Sequence, residues 1–178
     1  MSDRETRKAN VIAALNKARS MELQAIHQYM NQHYNLDNMD YGELAMNMKL
    51  IAIDEMRHCE SFAERIKELG GEPTSDLSGP IVKGQPVATI YTHDSNSEDE
   101  TIDTYNALRK VCVDNGDILT ARLFETIIEE EQAHLNYFDN ISGHIETLGD
   151  AFLSKIAGTP SSTGPASKGF VLNNGTDA

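Results

Sequence analysis

Two motifs of the form Glu-x-x-His constrain the fold of this chain more than any other feature of its sequence. They occupy residues 55–58 and 131–134. Residues three apart on an α-helix point in the same direction, so each motif places a carboxylate and an imidazole on one helix face. Both motifs lie within stripes of apolar residues spaced by three or four, the pattern of a helix face buried in a bundle. The sequence therefore predicts ionisable side chains inside a helical core.

Four long helices follow from the apolar periodicity of the sequence. Residues 70–95, between the second and third helices, are rich in Gly, Pro, Ser and Thr. This stretch is too long for a turn and predicts a crossover between two helical hairpins. Residues 87–91 favour a strand, which leaves the start of the third helix open between residues 86 and 97. The helices are expected over residues 3–36, 41–69, 97–114 and 117–148.

The end of the sequence changes in character after Gly149. Residues 150–157 predict a short fifth helix. The stretch beyond residue 158 is rich in Gly, Ser, Thr and Pro, and we expect it to be mobile or to lie on the surface. The predicted fold is all-α: a four-helix bundle of two antiparallel hairpins with a short fifth helix over residues 1–158, followed by a tail over residues 159–178.

Each predicted hairpin contains a pair of glutamates, and the two pairs have the same separation in sequence. Glu22 precedes Glu55 by 33 residues, and Glu98 precedes Glu131 by the same number. The midpoint of each pair falls inside a predicted turn. Residues equidistant from a hairpin turn lie at the same height on antiparallel helices, here about 25 Å from the turn at roughly 1.5 Å per residue. The four glutamates and the two motif histidines are therefore predicted to meet at one level of the core.

The two hairpins also resemble each other in sequence around the first glutamate of each pair. In both, an isoleucine follows the glutamate after four residues and a tyrosine follows it after seven. The repeated segments are Glu22-x-x-x-Ile26-x-x-Tyr29 and Glu98-x-x-x-Ile102-x-x-Tyr105.

Four buried carboxylates at one level would repel one another, and burying a single unpaired ion costs on the order of several kcal/mol. Two divalent cations would balance their charge. Oxygen and imidazole ligands suit iron or manganese better than a metal that prefers thiolates. For any one of these residues a solvated helix face is the simpler interpretation. The shared spacing instead favours a dinuclear metal centre made of Glu22, Glu55, His58, Glu98, Glu131 and His134.

Composition excludes several other classes of protein. The formal net charge of −13 disfavours nucleic acid, whose phosphates would repel the chain. There is no apolar run of transmembrane length and no secretory signal, so we expect no membrane association and a cytoplasmic location. The two cysteines, Cys59 and Cys112, form no CxxC motif. They argue against a disulfide framework, a zinc ribbon or a rubredoxin-type iron site, and we expect them to be core or interface residues.

Two local motifs are typical of one known family. Around them the sequence resembles the ferritin superfamily and, within it, the bacterioferritins, in particular those of sulfate-reducing bacteria such as Desulfovibrio. The resemblance covers about residues 8–157. The motifs that carry it are Glu22-Leu23-x-Ala25-Ile26-x-Gln28-Tyr29 and Asp54-Glu55-Met56-x-His58.

The resemblance implies that the metal centre is a di-iron centre with two irons per subunit. It implies that Glu22 and Glu98 each bind one iron and that Glu55 and Glu131 bridge the two. The remaining members of the implied site are His58 and His134, which complete the two coordination shells, and Tyr29, which lies beside the centre.

Met56 lies about 100° around its helix from Glu55 and cannot face the same core. From the residues alone, apolar packing at a helix-to-helix dimer contact is the simpler interpretation of this side chain. The resemblance instead implies that Met56 is an axial ligand of a haem iron, with one such methionine from each of two subunits. It thus implies one haem or related iron porphyrin per dimer.

The implied function is iron storage and detoxification. A ferroxidase would oxidise Fe(II) to Fe(III) with dioxygen or peroxide, and the mineral would form in a 24-subunit shell built from dimers. A small redox protein would supply electrons to the haem. Two alternatives remain: a rubrerythrin-like di-iron peroxide reductase or substrate oxidase, although a rubrerythrin's paired CxxC motifs are missing, and a metal-free bundle that acts as a scaffold.

The sequence also departs from the family pattern. Some bacterioferritins have a histidine and an aspartate that form an extra iron site on the inner wall of the shell. Here Leu50 stands in place of that histidine, although Asp54 is retained, so the extra site is not expected. The remaining histidines fit no ligand pattern and are expected at the surface or hydrogen-bonded in the interior. They are His27, His33, His93 and His144.

Overall fold

The computed structural model of the protein describes residues 3–159 and 168–174, and all regular secondary structure within them is helical. The four long helices pack as two antiparallel hairpins, α1 with α2 and α3 with α4. The predicted all-α four-helix bundle is confirmed, including its short fifth helix. The helices are α1 (Asp3–Asn38), α2 (Gly42–Glu68), α3 (Val87–Asp114), α4 (Ile118–Leu148), α5 (Asp150–Ile156) and α6 (Phe170–Asn174).

Tight turns close both hairpins near their predicted positions. In the first turn, Asp40 adopts a positive φ of 59°. In the second, Gly116 has a φ of 76°, a left-handed conformation that glycine adopts without steric cost. Asp117 then caps α4 by accepting a hydrogen bond from the backbone N–H of Thr120. These turns set the register in which the paired glutamates reach one level.

The crossover between the hairpins, residues 69–86, runs along α1. Near its start, the side chain of Asn16 donates a hydrogen bond to the carbonyl oxygen of Glu72 (3.0 Å). Near its end, the side-chain amide of Gln28 donates to the carbonyl oxygen of Val82 and accepts from its N–H, each at 2.9 Å. The crossover therefore returns the chain to the end of the bundle where α1 ends, and α3 runs antiparallel to α1.

The third helix begins at Val87, which lies within the interval from residue 86 to residue 97 that the sequence leaves open and ten residues before the clear part of the helix at residue 97. Pro86 precedes it in an extended conformation (φ −60°, ψ 143°) and marks the end of the crossover. Ile90 and Tyr91, whose side chains favour a strand, are fully buried in the core. Their packing outweighs a β preference that depends strongly on context.

A layer of polar residues divides the core into two apolar clusters. One cluster lies towards the α1–α2 turn and includes Leu36 and Met48. The other lies towards the α3–α4 turn and includes Phe62 and Phe124. Burial stabilises each such side chain by about 1.5–3 kcal/mol, so the two clusters fix the helices that hold the polar layer. Within the described residues, none of the helices combines the length and apolar character needed to cross a lipid bilayer.

The last described residues pack onto the bundle rather than forming a surface tail. Helix α6 contacts α2 and α4. Phe170 is only 9% exposed, and the N–H of Val171 donates a hydrogen bond to Oδ2 of Asp54 (2.9 Å). Two apolar side chains and one buried carboxylate thus hold this part of the predicted tail against the bundle. Residues 160–167 and 175–178 of the predicted tail lie outside the described residues.

Candidate metal centre

Six buried side chains from four helices converge in the polar layer. They form two overlapping sets in which one possible ligand atom from each residue lies within 4.8 Å of the others. Both sets contain Glu55 and Glu131. The first set adds Glu22 and His58, and the second adds Glu98 and His134. The structure thus brings together all six residues of the predicted cluster.

Each histidine turns its Nδ1 atom towards the carboxylates. Nδ1 of His58 lies 3.0 Å from Glu55 and 3.3 Å from Glu131, and it is also 3.7 Å from Glu22. Nδ1 of His134 lies 3.0 Å from Glu131 and 3.2 Å from Glu55. One ring N–H cannot serve several carboxylates at once. A cation bound to the Nδ1 lone pair can lie between them.

Two carboxylate oxygens at the middle of the cluster lack a hydrogen-bond donor. They are Oε1 of Glu55 and Oε1 of Glu131, which have no hydrogen-bond partner in the described part of the chain. Each does lie within 3.3 Å of a histidine Nδ1, but outside hydrogen-bonding geometry. An unpaired buried acceptor costs about 1–3 kcal/mol. Both oxygens belong to the glutamates shared by the two ligand sets, where a dinuclear centre would use bridging ligands.

The pKa values of the cluster residues shift in different directions. Burial, together with the charges of Glu131 and Glu55, raises the pKa of Glu22 and of Glu98 well above the usual range. Burial also acts to raise the pKa of Glu55 and Glu131, but the two histidines outweigh it and lower both values. Burial acts to lower the pKa of the histidines, and the carboxylates in turn outweigh it and hold each well above its usual value. The donor set therefore balances buried negative charge with protons, which metal cations replace on binding.

Two tyrosines link the hairpins at the cluster. Tyr29 on α1 donates a hydrogen bond to Oε1 of Glu98 on α3, and Tyr105 on α3 donates to Oε1 of Glu22 on α1. Burial and the nearby carboxylates raise the pKa of both phenols, so both remain donors. Tyr29 is expected beside the centre from its sequence motif, whereas the contact of Tyr105 with Glu22 is not predicted. The seven-residue spacing that each tyrosine shares with a glutamate is the signal that identifies it.

The outer nitrogen of each histidine faces a further carboxylate. Nε2 of His58 lies 3.1 Å from Glu130, and Nε2 of His134 lies 3.4 Å from Asp54. A carboxylate at this place keeps the proton on Nε2 and leaves the Nδ1 lone pair for a metal. The position of Glu130 beside His58 is not predicted from the sequence motifs. Its signal is the acidic residue that immediately precedes the glutamate of each Glu-x-x-His motif.

A cavity of about 140 Å³ opens between α1 and α3 and reaches the cluster. Partly buried Gln24 and exposed Glu100 line its outer part, and buried Glu22 and Glu98 line its inner part. The exposed carboxylate of Glu100, within a chain of net charge −13, attracts cations to the mouth of this cavity.

Met56 lies away from the cluster, on the outer face of α2, and is 48% exposed. Ile53 and Ala63, the other members of its apolar strip, are partly buried. The geometry confirms that Met56 cannot join the six-residue site. An exposed thioether on a partly apolar helix face suits a contact or a ligand shared with a second subunit.

The other histidines lie outside the cluster, as expected from the sequence. His33 is buried with Nδ1 2.8 Å from the carbonyl oxygen of Ala45, and His93 pairs with Asp94 at 3.0 Å. The remaining two are exposed, and one contacts a carbonyl of its own helix while the other contacts an aromatic ring; they are His27 and His144.

Both cysteines are buried, as expected for core residues. Burial raises the pKa of the Cys112 thiol to about 12.

Leu50 is buried, and the oxygens of Asp54 accept hydrogen bonds from Arg57 and Val171.

The sequence matches a family described as the ferritin-like domain over residues 12–148. It is 70% identical over 169 residues to the bacterioferritin of Desulfovibrio desulfuricans, an alignment that covers 95% of this chain and 94% of that protein. The bacterioferritin of Streptomyces coelicolor is 32% identical over 160 residues, which cover 88% of this chain and 96% of that protein.

Solved structures are similar to this fold over nearly its full length. The crystal structure of Desulfovibrio desulfuricans bacterioferritin, described with its diiron site in different catalytic states, has a TM-score of 0.91 at 70% identity and covers 96% of this chain and 100% of that one. The bacterioferritin of Rhodobacter capsulatus was solved with a metal-free dinuclear site and a haem iron. It has a TM-score of 0.80 at 26% identity and covers 88% of this chain and 98% of that one.

Proposed function

We propose that this chain, which belongs to the bacterioferritins of the ferritin-like family, stores iron by oxidising Fe(II) at the six-residue cluster. The single observation that carries the proposal is the pair of overlapping ligand sets that share Glu55 and Glu131. A diiron site in a relative of 70% identity supports the same reading.

The donor set fits two iron ions. Four carboxylates balance the charge of two Fe(II) ions, and the carboxylate and imidazole ligands suit this metal. Glu55 and Glu131 would bridge the two ions, since each has an oxygen free of hydrogen bonds. The ligands that would belong to one ion only are Glu22 and His58 for the first, and Glu98 and His134 for the second.

The substrate Fe(II) ions supply the redox chemistry. Each loses one electron, and the two electrons reduce dioxygen to hydrogen peroxide, or peroxide to water, with two protons taken up. The chain's own residues bind the two ions and orient the side chains that hold them. Tyr29 holds Glu98 in place, and Tyr105 holds Glu22. Asp54 and Glu130 keep His134 and His58 in the tautomer that ligates through Nδ1. The cavity between α1 and α3 is the proposed route for Fe(II).

Haem is a proposed cofactor of the protein. An exposed thioether on the outer face of α2 suits an axial ligand that two subunits share across a two-fold axis, so Met56 would hold the haem iron together with its copy. The haem would carry electrons from a small redox protein towards stored iron and allow its release. A haem iron in the bacterioferritin of Rhodobacter capsulatus supports this assignment.

The mineral would form inside a shell of 24 subunits built from dimers, in the cytoplasm. Subunits of 19.7 kDa would give a shell of roughly 470 kDa, which size-exclusion chromatography distinguishes from a dimer. The large size would exclude the rubrerythrin-like and substrate-oxidase alternatives, which need no shell.

The test of ferroxidase activity is the initial rate of Fe(II) oxidation in Glu55→Ala and Glu131→Ala proteins. Both changes remove a ligand shared by the two irons, so the rate should fall by about two orders of magnitude or more. Glu64→Ala, at an exposed position of α2, is the matched control and should retain the full rate. Unchanged rates in both cluster variants would exclude the proposed site.

A further inference from the structure

The C-terminal segment, defined as residues 168–174, lies against one half of the metal centre. It packs on α2 and α4, away from the cavity between α1 and α3. The N–H of Val171 donates a hydrogen bond to Oδ2 of Asp54 (2.9 Å), and the same oxygen lies 3.4 Å from Nε2 of His134. One carboxylate thus connects the segment to a proposed metal ligand.

The C-terminal segment lies directly against Asp54. The side chain is fully buried, and its other oxygen accepts a hydrogen bond from Arg57 (3.0 Å). The backbone of Gly169 passes so close that a Cβ atom built on it would lie 1.8 Å from Oδ1 of Asp54. The ring of Phe170 contacts the imidazole of His134 edge to face, with ring centroids 6.2 Å apart. Docking in this form therefore requires glycine at position 169.

The other half of the centre is more open in the described part of the chain. Glu130, which faces Nε2 of His58, has a side chain that is 23% exposed, whereas that of Asp54 is 0% exposed. The two halves match in ligand chemistry, since each pairs a histidine with a carboxylate from the neighbouring helix. They differ in enclosure, and a fixed carboxylate away from water orients a histidine better than a solvated one.

The centre would have two metal positions, one next to the C-terminal segment and one away from it. The capped position comprises Glu98, His134 and the two shared glutamates, and the open position comprises Glu22, His58 and the same two glutamates.

We infer that the C-terminal segment is a positioning element, which fixes His134 through Asp54 and makes the capped position bind a divalent cation more tightly than the open one. The inference rests on the proposed dinuclear site. Neither Asp54 nor the segment belongs to the proposed ligand sets, so both would act through His134. The two positions therefore fill in a fixed order, with the capped position first, and the open position exchanges its cation faster.

Co(II) titration of the metal-free, full-length protein tests this order. Co(II) is the probe because its absorption reports the coordination of each added ion without iron oxidation. The full-length protein should bind two Co(II) per subunit in two steps. The tighter step should disappear in Glu98→Gln and persist in Glu22→Gln, since each of these residues serves one position only.

A chain that ends at Thr159 removes the C-terminal segment. It should lose about 10–100-fold in affinity at the tighter step and release that Co(II) to a chelator faster, with the weaker step and the total of two ions unchanged. A chain that ends at Asn174 keeps the segment and is the matched control. Equal titration curves for the Thr159 chain and the full-length protein would overturn the inference.

Gly169→Ala tests the same contact at full length, should the shortened chain fail to fold. The added Cβ would displace the segment from Asp54, expose the Val171 N–H to rapid hydrogen exchange and weaken the tighter step alone. Gly143→Ala is the control, because a Cβ there meets nothing within 4 Å. A tighter step of unchanged affinity in Gly169→Ala would overturn the inference, whether or not the Val171 N–H exchanges rapidly.

The two proposals fail in different ways. Fewer than two Co(II) ions in the full-length protein would contradict the dinuclear site itself. If two ions bind and the affinity of the tighter step does not change when the segment is removed, only the positioning role of the segment is contradicted.

Discussion

Tyr105 donates a hydrogen bond to Glu22 from the opposite hairpin, with its phenolic oxygen 2.5 Å from Oε1 of the carboxylate. The counterpart of this bond joins Tyr29 to Glu98. A tyrosine of each hairpin therefore orients a glutamate of the other, either Glu22 or Glu98. The site is complete only when the two hairpins pair.

Replacing Tyr105 with phenylalanine removes the donor and leaves Oε1 of Glu22 without its partner. Loss of a contact that orients a metal ligand typically costs 10–100-fold in affinity or activity, so the initial rate of Fe(II) oxidation should fall by about that factor. Tyr29→Phe should act alike through Glu98. Tyr91→Phe, at a buried tyrosine of α3 outside the cluster, is the control. A full rate in Tyr105→Phe would show that the hydrogen bond does not matter for oxidation.

Replacing Met56 with leucine keeps the apolar volume and removes the thioether. The purified protein should lose its haem absorption while Fe(II) oxidation at the cluster continues at the normal initial rate, because Met56 is directed away from the six ligands. Met39→Leu, at a methionine that is also exposed, should retain its haem. Haem retained by Met56→Leu at full occupancy would assign the axial ligand elsewhere.

Asp117 gives the fold a predictable dependence on pH. Burial acts to raise the pKa of this carboxyl, but hydrogen bonds from Thr120 and Arg65 outweigh it and lower the pKa from 3.8. A lowered folded-state pKa means that the stabilisation is complete above 3.8 and is lost as the pH falls through the folded-state value. Asp117→Asn should therefore destabilise the protein at pH 7 by about 1–2 kcal/mol.

The measurement is the thermal midpoint of the metal-free protein as a function of pH. About 2–4 °C is expected per kcal/mol for a chain of this size. The difference between wild type and Asp117→Asn should close as the pH drops below 3.8. Asp114→Asn, which breaks an exposed pair with Lys110, is the control and should change little. A difference that persists at low pH would mean that the charge of Asp117 is not its cause.

The level of the metal centre could be predicted from sequence because it depends on little more than the rise of a helix. Glu22 and Glu55 stand at equal distances from one turn, and regular helices carry that equality into space. The start of α3 could not be predicted in the same way. Ile90 and Tyr91 favour a strand by themselves, and only their burial against the rest of the bundle makes them helical.

The contacts around the ligands were harder still to predict. Val171 meets Asp54 across 117 residues of sequence, and no local pattern encodes this pairing. The role of Glu130 was in principle visible, because it precedes Glu131 as Asp54 precedes Glu55. Its partner His58 lies on another helix, so the pairing becomes apparent only when α2 and α4 are placed side by side.

The most direct test of the account is a crystal structure of the iron-loaded protein with anomalous data collected at the iron edge. We expect two iron peaks per subunit between the four helices, with Glu55 and Glu131 ligating both and each histidine ligating one through Nδ1. A single peak, peaks outside the cluster, or glutamates turned away from the metals would contradict the central claim.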